Sequence, residues 1–264
     1  MAADRAFAEL IAEGEAVATA GWDFSWFDGR ATEERPRWGY SRLLAERVGR
    51  AESALDLQTG GGEVLAGALR TCGDRTGGHR PAVLAATESW PPNVEIARRN
   101  LAPFGGVVAE VADDADLPFP AGNFGLVVSR HPVEVVWPEV ARVLKPGGTF
   151  FSQQVGAGSN RELTDFMMGP QPVNPGRSPR VAVAEATEAG LDVVDLREQE
   201  LRVEFFDVGA VVYFLRKVLW TVPGFSVAGY NEPLARMHEH IRANGAFVCH
   251  AQRFLIEARK PSGE

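Results

Sequence analysis

A chain of 264 residues with 45% hydrophobic content can bury a sizeable core, and a formal net charge of −8 supplies no overall field that would gather a polyanion. Cys72 and Cys249 are the only cysteines, too few for a disulfide framework or a Cys-rich zinc site, so both are expected to be buried and inert in a reducing cytoplasm. No apolar run approaches the ~18 residues of a membrane span, and Asp4, Glu9, Glu13 and Glu15 stand where an export signal would be basic and then apolar, so the expectation is a soluble, cytoplasmic protein.

From the N-terminus, Phe7, Leu10, Ile11 and Val17 recur at helical spacing and predict an amphipathic helix over roughly 3–18. Residues 21–30 then bring four aromatics, Trp22, Phe24, Trp26 and Phe27, without a clear period. They either pack the first helix onto the core or form a lid over a pocket. After Arg37-Trp38-Gly39-Tyr40, a second helix turns Tyr40, Leu43, Leu44 and Val48 inward.

A buried strand at 53–57 runs into Gln58-Thr59-Gly60-Gly61-Gly62 and a helix from Glu63 to Leu69. Glycines let another molecule approach the main chain, and the helix that follows offers free N–H groups. A polar loop at 73–80 leads to a second strand, 82–86, ending at Thr87-Glu88. A carboxylate at that place can accept hydrogen bonds from both hydroxyls of a ribose. Pro91-Pro92 starts a helix with Val94, Ala97 and Leu101 on its inner side, and 106–111 is a third strand. A fourth strand, 124–128, ends in Ser129-Arg130-His131-Pro132. A helix through Val135, Val136, Val140, Val143 and Leu144 follows, and then a fifth strand at 149–154. Strands and helices alternate from 53 to 154, which predicts an α/β, doubly wound, mostly parallel sheet with its ligand beyond the carboxyl ends of the strands.

Taken together, these residues resemble the class I S-adenosylmethionine-dependent methyltransferases, in the ubiquinone/menaquinone biosynthesis branch (the methyltransferase type 11 domain). The likeness covers about 50–155. It rests on Leu-Asp-x-x-x-Gly-x-Gly at 55–62, the acid after strand two, Asp-x-x-x-Leu-Pro-Phe-Pro at 113–120, Phe-x-Leu-Val at 124–127 and Arg-Val-Leu-Lys-Pro-Gly-Gly at 142–148. The resemblance implies S-adenosyl-L-methionine as cofactor, its methionine end over Gly60 and Gly62, its ribose on Glu88, its adenine amino group on Asp113 with Asp114 beside it, and Ser89 or Trp90 along the ring. Asp56 and Ser129 complete that expected set at the strand ends. Two positions depart from the family: Gln58 and Gly125 stand where it has glycine and aspartate. Gln58 either points away from the pocket or fills part of the methionine site.

Beyond 155 the likeness thins. The pattern predicts helices at 161–168 and 181–190 around a Pro-rich loop at 170–179, strand material at 191–195 and 201–206, and a helix capped by Asp207. A further helix carries Leu234, Met237, His238 and Ile241, and a closing strand spans 247–257. The family implies a seven-stranded sheet with an antiparallel C-terminal edge hairpin, here joined by a cap insertion over about 207–244. The expected domains are 1–50, N-terminal helices and aromatic lid, and 51–264, the methyltransferase domain. His238 and His240 are two apart and point apart on a helix, so no metal site is expected.

The activity this implies is methyl transfer by in-line displacement to an O, N or C nucleophile of a small molecule. Trp22, Trp26, Trp38, Tyr40, Arg130 and Tyr213 are the candidate acceptor-binding residues, and His131 is either the base or structural. The alternatives are an RNA methyltransferase, which would need a basic face, and a methyltransferase-fold protein that has lost or repurposed cofactor binding, suggested by Gln58.

Overall fold

The continuous apolar run Ser53–Leu57 is buried at every residue, as a strand covered on both faces must be, and the rest of the sheet is built outward from it. The computed structural model describes residues 6–19, 24–75 and 79–263. In chain order the elements are α1 (Phe7–Ala16), β1 (Ala31–Glu33), α2 (Tyr40–Val48), β2 (Ser53–Leu57), α3 (Glu63–Arg75), β3 (Val83–Glu88), α4 (Pro91–Leu101), β4 (Val107–Glu110) and β5 (Phe124–Arg130). They continue as α5 (Trp137–Val143), β6 (Leu144–Val155), α6 (Arg161–Met168), α7 (Pro179–Glu188), β7 (Asp192–Phe205), α8 (Val208–Lys217), α9 (Asn231–Asn244) and β8 (Phe247–Arg259).

The hydrogen-bonded order is β1-β7-β8-β6-β5-β2-β3-β4. The pairs from β6 through β5, β2 and β3 to β4 are parallel, β8 runs antiparallel to β6, and β1 antiparallel to β7. The mixed α/β sheet expected from the alternation is therefore present, with eight strands among the described residues instead of seven. The extra strand is β1, whose Ala31 to Glu33 pair with Phe205 to Val203, so β7 is not an edge strand. Two further boundaries differ. The strand material expected as two pieces is one strand, β7, and Leu144 opens β6 instead of closing the preceding helix, which begins only at Trp137 with Pro138 behind it.

Contacts divide the chain into one unit of 1–35, 157–174 and 200–252, and another of 36–156, 175–199 and 253–264. The expected boundary at residue 50 does not coincide with this division. In the second unit, period-two alternation sorts the strands' side chains onto two faces. Ala54, Leu126, Val128 and Phe151 join Leu44, Leu69, Val94 and Leu101 of α2, α3 and α4. Leu55, Val127, Phe150 and Ile256 join Trp137 and Val140 of α5 and Ala186 of α7. Each such side chain contributes about 2 kcal/mol on burial, so both layers stabilise the sheet that carries the site.

The first unit has its own core, in which α1 meets α8 with Leu10 and Ile11 against Val208, Val211 and Val212. The approach is close. A Cβ on Gly14 would lie 2.5 Å from the Gly209 carbonyl oxygen, and one on Gly209 would lie 2.5 Å from that of Leu10. Asp207 caps α8 as its sequence position predicts, accepting from the Ala210 N–H at 2.8 Å, while Arg30 bridges Asp207 and Glu13. Cys72 and Cys249 are buried, and burial pushes both thiols up, which suppresses their thiolates. Among the described residues no helix is long and apolar enough to cross a membrane, and no group of three His, Cys, Asp or Glu side chains could hold a metal ion.

Candidate active site

The turn after β2 is fastened to two neighbouring elements by three hydrogen bonds. Gln58 donates its N–H to the Thr87 hydroxyl and Thr59 its N–H to the Thr87 carbonyl, which ties the turn to the end of β3. The Asn100 amide of α4 donates to the Gly61 carbonyl at 2.8 Å. Gly60 and Gly62 take φ of 64° and 76°, and a Cβ at Gly62 would stand 3.2 Å from Leu101, so backbone shape and helix contact both require glycine there. Below the turn Asp56 is 7% exposed and accepts from the Thr59 hydroxyl at 2.6 Å. Burial pushes its carboxyl up to about 7, the Thr59 bond opposes this, and the Glu88 charge adds to it.

Glu88 ends β3 facing the turn. Its Oε2 accepts from the Gly60 N–H at 2.7 Å, and its Oε1 from the N–H groups of Ser89 and Trp90 at 3.1 and 3.0 Å. A carboxylate offers about four lone-pair positions, so accepting capacity remains beside Gly60. Burial holds Glu88 above the ordinary carboxylate range against the pull of these three donors, and Asp113 raises it further. Ser89 is half-buried and Trp90 exposed at the start of α4, with Asp113 half-buried and Asp114 exposed on the loop after β4. Glu139 and Arg142 of α5 hold that loop. Glu139 accepts from the Leu117 N–H at 2.7 Å, while Arg142 donates to the Leu117 and Phe119 carbonyls and pairs with Glu139 at 2.5 Å. The Arg142 guanidinium keeps the Glu139 carboxyl below its usual range. Leu57, Gln58, Thr87, Asp113, Glu134 and Val136 border a shallow, solvent-open cleft between this loop and the start of α5.

At the end of β5 the structure departs from several expectations. Ser129 is fully buried and donates its hydroxyl to the Leu57 carbonyl at 2.9 Å, so it stitches β5 to β2 and has no face toward a cofactor. Gly125, the other departure from the family pattern, donates its N–H to the Ser53 hydroxyl. Trp38 and Tyr40, expected as pocket walls, are 6% exposed core residues. The Trp38 indole donates to Gln153 Oε1 at 2.8 Å, and Tyr40 stacks on Phe151 with its hydroxyl donating to the Ser129 carbonyl.

Arg130 is exposed, whereas His131 is half-buried at φ 58° with its ring Nε2 2.8 Å from the Gln153 amide nitrogen. Burial and the charges of Arg130 and Arg253 hold His131 well below the ordinary imidazole range, so the neutral ring is favoured. Gln58, at φ 52°, turns its side chain away from the glycines: Oε1 accepts from the Val133 N–H at 2.6 Å and Nε2 donates to the Glu134 carbonyl at 2.7 Å.

Trp26 and Tyr213 belong to the other unit. Their rings meet edge-to-face at 5.2 Å, with Phe27 5.0 Å from Tyr213 and Arg30 over Trp26. Trp22 lies outside the described residues. Sequence reasoning missed Thr87, Asn100, Glu139 and Gln153. Glu139 and Arg142 did leave a signal, since the two stand at the i, i+3 spacing of a helical ion pair.

Residues 55–152 match a family model described as a methyltransferase domain. This segment is a methyltransferase domain. The protein is accordingly an enzyme, a methyltransferase. No curated protein matches the chain. Among solved structures, a candidate methyltransferase of Bacillus halodurans C-125 is similar over 84% of this chain and 98% of its own, at 17% identity and a TM-score of 0.57. The YcgJ protein of Bacillus subtilis covers the same shares at 17% identity and a TM-score of 0.58. The [4+2]-cyclase SpnF is similar over 96% of this chain and 92% of its own, at 18% identity and a TM-score of 0.51. Identities this low carry the α/β fold of the methyltransferase domain alone.

Proposed function

We propose that this protein transfers a methyl group from S-adenosylmethionine to a small-molecule acceptor, in the manner of the ubiquinone/menaquinone methyltransferases. The observation that carries the reading is Glu88, whose carboxylate keeps accepting capacity beside the N–H of Gly60, at the mouth of a turn that glycine alone can make. Gly60, Gly62, Glu88, Ser89, Trp90, Asp113 and Asp114 would hold the cofactor, with Asp56 beneath them. The residues fit that group. Glu88 would meet ribose hydroxyls as an acceptor, the shallow cleft at 57–58 and 111–117 offers apolar and amide groups to a ring laid along it, and the commitment of Gln58 to 133 and 134 keeps its side chain off the glycines.

The bound cofactor supplies an electrophilic methyl to an acceptor lone pair approaching in line. The chain's own contribution is alignment and exclusion of water: the Glu139–Arg142 pair holds the loop that carries Asp113, and Gln58 holds the turn after β5. A charge of −8 argues for a small acceptor over RNA.

Calorimetry with S-adenosylhomocysteine tests the assignment. Glu88→Ala removes a charged acceptor and should weaken binding by about 2 kcal/mol, roughly thirtyfold. Unchanged affinity would overturn the site. No binding to the parent chain would favour a repurposed fold, a use of this fold that the cyclase relative makes concrete.

A further inference from the structure

We propose that Trp38 and Gln153 fix His131 as the neutral tautomer protonated at Nδ1, so that it meets the acceptor as a hydrogen-bond donor and not as a base. The inference starts from an atom without ambiguity. An indole nitrogen can only donate, so the Gln153 atom 2.8 Å from Trp38 Nε1 must be the amide oxygen. The other end of the amide is then the NH₂, and it lies 2.8 Å from His131 Nε2. An NH₂ can only donate in turn, so Nε2 must present its lone pair, and the single proton of the neutral ring stands on Nδ1. Reversing the amide would set NH₂ against indole N–H, two donors face to face.

The backbone closes the remaining freedom. His131 is held at φ 58°, and its own N–H donates to the Gln153 carbonyl at 2.7 Å, so the residue that orients the ring also anchors its main chain. Adding a proton to Nε2 would turn that nitrogen toward a second donor and place a third positive charge near Arg130 and Arg253, the charged groups that act on this ring. Both effects keep the ring neutral and its Nε2 occupied, while Nδ1–H is left to seek a carbonyl, carboxylate or phenolate oxygen. This rests on the methyl-transfer reading and adds to it that the acceptor sits at the end of β5, beside the turn at 131. The acceptor it selects is one that presents such an oxygen to the turn at 131, with Trp38 and Gln153 as positioning residues that touch no substrate.

Two measurements on the full chain test this. The first is a long-range ¹⁵N–¹H spectrum of ¹⁵N-histidine protein without cofactor or acceptor, with the His131 signals assigned by their loss in His131→Asn. The expected pattern is a pyrrole-like Nδ1 and a pyridine-like Nε2 that stay put from pH 8 to 6, across the ordinary imidazole pKa of about 6.5. The Nε2–H tautomer, or titration near 6.5, would overturn the proposal. Trp38→Phe should release the amide and give a mixture of tautomers, and an unchanged spectrum would remove Trp38 from the argument.

The second measurement is turnover. Asparagine tolerates positive φ and supplies an N–H but no base, so His131→Asn should stay within about tenfold of the parent, with His131→Ala below it. Equal losses of about 10²–10⁴ in both variants would mark a general base instead. The spectrum needs neither ligand nor activity, so its failure counts against the His131 assignment alone, whereas absent cofactor binding counts against methyl transfer.

Discussion

Asp56 shows how a single buried carboxyl sets a pH dependence. Its carboxyl titrates near 7 in the folded chain, against an ordinary value of 3.8, because burial disfavours the ion more than the Thr59 bond favours it. Between those two values the folded protein holds a proton that the unfolded chain has released. Stability from this group therefore falls as pH rises through the window, and above 7 the full cost of the buried charge remains. Asp56→Asn keeps an oxygen for Thr59 and removes the charge. Its melting temperature should exceed the parent's by roughly 4 °C at pH 8, with the gap closing toward pH 5. A gain of the same size at both pH values would show that charge is not the cause.

At this scale the sequence announced what is local. Gly60 and Gly62 are legible because positive φ is a property of one residue, and Glu88 because a strand end precedes it. Asn100 and Thr87 were not, since each acts on a main chain 29 or more residues away, nor was Gln153, whose amide meets side chains of the turn before α2 and the turn after β5. Ser129 was placed at the correct end of β5, but alternation alone does not say that its hydroxyl is spent on Leu57.

Elements were read well where a period was clean, and poorly where glycine and proline interrupt it. The parallel strands and α4 follow their apolar spacing, while Leu144 passed for the last helical residue because the Lys145 to Gly148 stretch looks like a stop although it lies inside β6. Gln58 belongs to this scale because it joins two elements, the end of β2 and the turn after β5. A glutamine at φ 52° carries about 1 kcal/mol of strain that glycine would not, offset by two side-chain bonds of about 1 kcal/mol each. Gln58→Ala keeps the strain and loses both bonds, whereas Gln58→Gly loses both bonds and the strain with them. Urea unfolding should therefore rank the parent above or near Gly, and Ala about 1 kcal/mol below Gly. Hydrogen exchange at the Val133 amide should speed up in both variants. Retained protection there would mean that the amide does not hold the turn.

On the scale of the whole chain, three separate segments make one unit, and no local pattern could say so. Residues 1–50 read as a leading domain of their own, yet 1–35 share a unit with 157–174 and 200–252, because Gly14 and Gly209 let α1 and α8 meet backbone to backbone across 195 positions of sequence. β1 escaped notice for the same reason, being three residues that become a strand only through Val203 to Phe205.

The residues proposed to hold the cofactor all belong to the other unit, so the two should be damaged independently. Gly209→Ala puts a methyl 2.5 Å from the Leu10 carbonyl oxygen, which neither helix can accept without moving, and should cost about 1–3 kcal/mol of stability. Its affinity for S-adenosylhomocysteine, measured well below the melting point, should stay within about twofold of the parent, the reverse of what Glu88→Ala produces. If Gly209→Ala instead weakened the cofactor tenfold with the protein still folded, the α1–α8 crossing would be coupled to the glycine turn, and the assignment of cofactor binding to the 36–156 segment alone would fail.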